Sequence, residues 1–240
     1  MYKPFKIAEL LPIYLIVFGA CFMFAVFTSH SITVMSMNTP MEGRIRIVID
    51  AGHGGEDGGA VSCTGVLESQ LNLEVATRLN DLLHLLGYNT VMLRTEDISL
   101  HTEGNTIAAH KISDLKNRVD RINQTENALL VSIHQNFFSE SVYCGAQVFH
   151  TDDPEGEMLA TSAQAAFIRH LNPGSQRNIK KATGVYVMEH IQCPGILVEC
   201  GFLSNPEEEA KLRQEAYQQK ICVILASCIA KYADARKGTA

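Results

Sequence analysis

From residue 44 onward, short continuous apolar runs alternate with longer stretches whose apolar positions recur every three or four residues, as expected of strands and helices taking turns. Ile45, Ile47, Val48 and Ile49 form a run that ends in Asp50-Ala51-Gly52-His53, the signature of a buried central strand closing in a sharp turn. Leu71, Val75, Leu79, Leu82, Leu83 and Leu86 then lie on one helical face, and Gly87 supplies the stop. Residues 88–93 read as a second strand, and the polar, irregular stretch 95–113 as a long loop over a site. A helix is predicted over 114–126 through Leu115, Val119 and Ile122, followed by a strand at 128–133. Further along, the pattern predicts strands at 145–150, 184–188 and 195–199, a helix at 157–170 and two closing helices, the second over 215–232. This order predicts an α/β fold: one domain with a twisted, mostly parallel or mixed sheet flanked by helices. No internal repeat interrupts it.

The amino terminus follows another rule. Lys3 and Lys6 precede an uncharged run from Leu10 to Phe27, which predicts a hydrophobic helix about as long as a membrane span. Positive charge before the run favours a cytoplasmic amino terminus and an exported domain. Residues 1–28 thus read as a signal peptide or a membrane anchor, 29–43 as a linker, 44–234 as the folded domain and 235–240 as a tail.

Composition narrows the partners. The formal net charge of −6, with no basic stripe among aromatics, argues against nucleic acid. The seven cysteines form no CxxC pair, and Cys222 and Cys228 fall in an apolar stretch that predicts core packing. No GxGxxG, GxxxxGK[ST] or GxSxG motif is present.

The candidate chemistry lies at strand ends. His53 and His134 each follow an apolar run, and an open α/β sheet presents its functional groups beyond the carboxyl ends of its strands. Catalytic zinc takes three protein ligands and keeps one open position, and Glu68, just beyond the glycine-rich loop, is the candidate third. Glu199 closes the strand Ile196-Leu197-Val198, where burial would raise its pKa and suit it as a general base. The bland alternative for Glu199 is a structural ion pair with Arg94 or Arg118. Cys200 is expected on the opposite strand face. The other histidines, His30, His84, His101, His110, His150, His170 and His190, are expected to serve surface or packing roles.

Four segments, Ile49 to Gly55, Gly65 to Glu68, Ser132 to Asn136 and Glu199 to Pro206, together resemble the zinc-dependent N-acetylmuramoyl-L-alanine amidases of bacterial cell walls. They occur in that family's order, and the resemblance covers the chain from about Arg44 to Tyr232. It implies a zinc-hydrolase-like domain in which His53, Glu68 and His134 hold Zn2+ and Glu199 is the catalytic carboxylate. Asn136 is implied either to shape the site or contact substrate, or to form a turn. Gln135 departs from the small residue common there, a change expected at the floor of the groove.

The short apolar amino terminus, the absence of wall-binding repeats and the stretch Ile112 to Val119 are similar to the CwlD-like subgroup of sporulation amidases. That similarity implies peptidoglycan as substrate and removal of stem peptides ahead of muramic-lactam formation in spore cortex. It also implies action outside the cytoplasm, in the space between forespore membranes. Wall contact would then rest on membrane attachment through an uncleaved segment, on the 95–113 loop, or on an accessory protein. The competing readings are another zinc peptidase or carboxypeptidase acting on wall peptides, and a non-catalytic wall-binding module.

Overall fold

The structure, a computed structural model, describes residues 45–237. The predicted hydrophobic helix and linker lie outside the described residues, and no helix among the described residues is long and apolar enough to cross a membrane. Strand β1 (Arg46–Ala51) leads through the glycine-rich loop to helix α1 (Glu68–Leu85), strand β2 (Asn89–Met92), helix α2 (Ile107–Asn123) and strand β3 (Ala128–Asn136). Strand β4 (Gln147–His150), helix α3 (Pro154–His170), strand β5 (Lys180–Lys181) and helix α4 (Tyr186–His190) follow. Strand β6 (Gly195–Phe202) and helices α5 (Pro206–Leu212) and α6 (Glu215–Lys237) complete the chain.

One six-stranded sheet has the order β2-β1-β3-β6-β4-β5. The β1–β2, β1–β3, β3–β6 and β4–β5 pairs are parallel, and only β4 and β6 run antiparallel. The expected α/β class with a mixed sheet is the one observed. Strand parity assigns the two faces. Ile47, Ile49, Leu129, Val131, Ile133, Ile196, Val198 and Cys200 pack beneath α1, α3 and α6, whereas Val48, Leu130 and Leu197 pack against α2 and α4. Cys200 therefore lies fully buried on the face away from Glu199, and Cys222 and Cys228 are buried in the same core.

Several expected boundaries shift. Helix α2 starts at Ile107 rather than 114, because the Thr106 side chain accepts a hydrogen bond from the Ala109 amide and caps an earlier turn. The loop over the site is correspondingly shorter. The strand expected over 184–188 is instead the short helix α4: Gly184 turns the chain at φ 78°, its amide donates to the Glu189 side chain, and Val187 and Met188 enter the core together. Both strand and one-turn helix can bury a short apolar run, so the pattern alone could not separate them. Helix α3 starts at Pro154, capped by Asp153, rather than at 157, and α6 runs to Lys237, past the boundary expected at 234.

Candidate metal centre

His134 and Glu199 sit opposite each other in the β3–β6 ladder, immediately before an irregularity in its register. They share parity with Leu130 and Leu197, so both side chains project on the α2/α4 side at the carboxyl ends of their strands. His53 arrives from the β1 turn at φ 62°, a left-handed conformation uncommon outside glycine. Glu68 opens α1, brought back over the strand ends when its amide donates to the Ala60 carbonyl.

These elements converge. His53 Nε2 is 3.2 Å from Glu68 Oε2, His134 Nδ1 is 2.9 Å from Glu68 Oε1, and one donor atom from each residue lies within 4.8 Å of the others. Two close approaches make the cluster possible. A Cβ on Gly52 would fall 2.1 Å from the His134 ring, and one on Gly59, whose φ is 68°, would fall 2.6 Å from Glu68 Oε2.

Partners fix the donors. Glu68 accepts from the Ala60 amide (3.0 Å), the Gln135 amide (3.2 Å) and Asn72 Nδ2 (3.1 Å), which also donates to the Gly52 carbonyl. His53 Nδ1 lies 3.0 Å from Asp57 Oδ2, leaving Nε2 directed at the cluster. Lys111 Nζ sits 3.0 Å from the same Asp57 oxygen. Asp57 and Asn72 had no motif to mark them, although each stands four residues after a candidate donor, in the loop and on the helix respectively. Gln135 is buried behind Glu68 with its Nε2 donating to Asn72 Oδ1 at 3.3 Å, so it braces the cluster from beneath.

Arg94 and Arg118 do not pair with Glu199. Arg94 donates to the carbonyls of Ala51, Gly52, Ser69 and Glu96. Arg118 pairs with Asp50 and Asp114 and donates to the carbonyls of Ala51 and His53, so both guanidiniums stitch the β1 turn in place. Glu199 Oε2 is buried with no hydrogen-bond partner. Burial, reinforced by the negative charge of Glu68 and opposed by His134 and His53, pushes the Glu199 carboxyl up to about 7. Glu68 moves the other way: burial favours its neutral form, but the His134 and His53 hydrogen bonds outweigh it and hold the carboxyl well below the usual range. Two carboxylates at one site are thereby driven apart, one ionised and one poised to gain or lose a proton. Asn136 contributes through its backbone, its carbonyl accepting from the Leu203 amide.

The donor set fits a metal ion. A tetrahedral ion with ligands at about 2.0–2.1 Å separates neighbouring donors by roughly 3.3 Å, and one donor atom from each of the two histidines and Glu68 already lies within 4.8 Å of the others. Glu68 is 5% exposed while His53 and His134 are 21% and 20% exposed, so the cluster is closed beneath and open to solvent above.

Residues 47–231 match the Amidase_3 family, described as N-acetylmuramoyl-L-alanine amidase. The chain belongs to this amidase family. It is 37% identical over 213 residues to the germination-specific N-acetylmuramoyl-L-alanine amidase of Bacillus subtilis, covering 88% of this chain and 89% of the relative. Among solved structures, the CwlD amidase of Clostridioides difficile, in complex with the GerS lipoprotein, superposes with a TM-score of 0.77 at 33% identity. That match covers 80% of this chain and 100% of the other. An N-acetylmuramoyl-L-alanine amidase of Clostridium difficile 630 matches with a TM-score of 0.69 at 28% identity, over 80% of this chain and 97% of that one. The chain is thus an enzyme of the CwlD-like kind, an amidase that hydrolyses the bond between N-acetylmuramic acid and L-alanine in peptidoglycan.

Proposed function

We propose that this amidase is zinc-dependent, with His53, Glu68 and His134 as the metal ligands and Glu199 as the catalytic carboxylate. The observation that carries the reading is the buried, unpartnered Glu199 oxygen beside a three-donor cluster. A buried carboxylate oxygen without a partner is costly to keep for stability alone, and a proton carrier needs that freedom.

Bound there, zinc supplies Lewis acidity toward the lactyl carbonyl of the substrate and acidifies water near neutral pH. Glu199 takes the proton from the attacking water and returns it to the departing L-alanine nitrogen, acting as general base and then general acid. Asp57 holds His53 in the tautomer whose Nε2 faces the cluster, and Asn72 orients Glu68. The open histidine side admits the muramoyl amide.

The setting we infer is removal of stem peptides for muramic-lactam formation in spore cortex, supported by similarity to the germination-specific relative. Action would be extracytoplasmic, between the forespore membranes, with residues 1–28 as signal or anchor, 29–43 as linker and the zinc amidase domain running from 44 to the end of α6 at Lys237. The C. difficile relative was solved with a lipoprotein, which supports an accessory protein as a partner here too.

The test is mass spectrometry of muropeptides after the zinc-loaded protein acts on intact peptidoglycan, with Glu199→Gln alongside. Free peptides beginning with L-alanine, absent with the variant, are the expected result. Cleavage inside the stem, leaving L-alanine on muramic acid, would instead show a wall peptidase.

A further inference from the structure

Beyond β3, the loop of residues 137–146 carries an apolar surface that the hydrolytic site does not use. Phe137, Phe138, Val142 and Tyr143 are 49%, 48%, 74% and 40% exposed, whereas the aromatic Phe202 beneath them is 3% exposed. Phe138 meets Tyr143 edge to face at 4.9 Å, and Tyr143 lies 6.2 Å from Phe202. Arg177 sits over the Phe202 ring, 4.6 Å from its centroid. These rings form one tier, exposed above and packed below.

The tier is held in place. Asn205 Nδ2 donates to the carbonyls of Ser141 (2.8 Å) and Tyr143 (3.2 Å), Ser204 accepts from the Phe138 amide (3.1 Å), and Glu208 accepts from the Gly145 amide (2.8 Å). Arg177 Nε donates to the Cys144 carbonyl at 2.8 Å. A loop anchored by five such bonds offers its aromatic faces already ordered, which lowers the entropic cost of binding. Clustered exposed apolar groups at such a place mark an interaction surface.

We infer that Phe138 and Tyr143, with Phe137 and Val142 beside them, form a ledge that binds the glycan strand flanking the cleaved muramoyl group. The inference rests on the amidase reading above. The reacting amide hangs on the lactyl arm of a sugar, so that sugar and its neighbours must lie close to the metal cluster. The chain from His134 to Phe138 spans at most about 14 Å, so the ledge lies within reach of the adjoining sugar rings. The C–H faces of pyranose rings suit aromatic surfaces, and rigid aromatics give large contact area with little entropy to lose. A separate pocket, lined by Lys111, Tyr186 and Met188 along with His53 and His134 and by none of the ledge residues, leaves room beside the cluster for the peptide.

Two measurements on the zinc-loaded full chain test this. The first compares kcat/KM on peptide-bearing glycan chains with kcat/KM on a muramoyl peptide that carries a single sugar. The second follows binding of peptide-free glycan chains, the reaction product, by calorimetry. In Phe138→Ala/Tyr143→Ala the ratio of the two kcat/KM values is expected to fall about tenfold, and glycan affinity to weaken about tenfold. Phe138→Leu/Tyr143→Leu, which keeps apolar packing but removes the ring faces, is expected to shift both in the same direction if the alanine pair fails to fold. An unchanged ratio with unchanged glycan affinity would overturn the ledge. So would loss of binding to an accessory lipoprotein with both glycan readouts intact, which would make the ledge a protein-docking surface. If the wild type binds glycan through the ledge yet releases no L-alanine peptides, the amidase reading fails and the ledge stands. Release of peptides with ledge variants indistinguishable from wild type gives the reverse.

Discussion

Each proposed ligand leans on a residue of its own: His53 on Asp57, Glu68 on Asn72, and His134 on the bare backbone of Gly52. Such supports typically set metal affinity by a factor of 10–100. Asn72→Ala and Asp57→Ala are therefore expected to weaken zinc binding by that factor in competition with a chelator, and equal affinity in both variants would remove their assigned role. His134→Ala should lose the metal outright. Glu199→Gln should bind zinc normally and lose at least about a hundredfold in kcat, the scale of general acid–base catalysis. The Glu199 carboxyl also predicts a pH effect on the metal-free protein. Its pKa is raised on folding, from 4.5 to about 7, so the folded state holds the proton more tightly than the unfolded one. Wild type therefore loses stability relative to Glu199→Gln as pH rises from about 4.5 to 7, by about 3 kcal/mol at most, and the gap levels off above that range. Melting temperatures of both proteins across pH 4 to 9 check the sign, and a wild type that gains stability relative to the variant as pH rises would refute it. The sequence singled out His53, Glu68, His134 and Glu199 because each stands near a strand end or a helix start within a short motif, and the structure brings the first three within 4.8 Å of one another. Asp57 and Asn72 were not singled out, since an Asp in a glycine loop and an Asn on a helix have many commoner uses.

At the level of elements, the β1 turn is positioned by Arg118 of α2. Its guanidinium joins Asp50, Asp114 and two turn carbonyls in a nearly solvent-free setting, and Ser132 Oγ donates to Asp50 at 2.7 Å. Burial would favour a neutral Asp50, but the Arg118 charge, with His134 and Ser132, outweighs it and holds the carboxyl low. Removing one partner of a buried pair strands the other, at about 3–5 kcal/mol. Arg118→Met should destabilise the domain by that amount in denaturant unfolding, and a loss under about 1 kcal/mol would contradict the role given to this network. Such long-range pairing leaves no trace in local sequence, which is why Arg118 read only as a candidate partner for Glu199. The misplaced starts of α2 and α3 have a local cause instead. Thr106 and Asp153 cap turns that lie before the first apolar position of the helical pattern, so periodicity alone started both helices late.

For the whole molecule, alternating runs made the α/β class and the strand-end site readable, because burial on both faces forces apolar strands and crossover helices. Strand direction was not readable. The antiparallel β4 depends on where α3 and the 137–146 loop pack, and nothing in Gln147–His150 itself specifies it. The sheet order brings β1, β3 and β6 side by side, and that adjacency unites residues as far apart in sequence as His53 and Glu199 in one site. The central claim is that this cluster binds zinc beside a free carboxylate. It is tested most directly by anomalous diffraction at the zinc edge from crystals of the zinc-loaded protein. The account predicts one peak about 2 Å from His53, Glu68 and His134, with Glu199 nearby but not ligating. A peak at other residues, or none in a fully loaded and active protein, would contradict it.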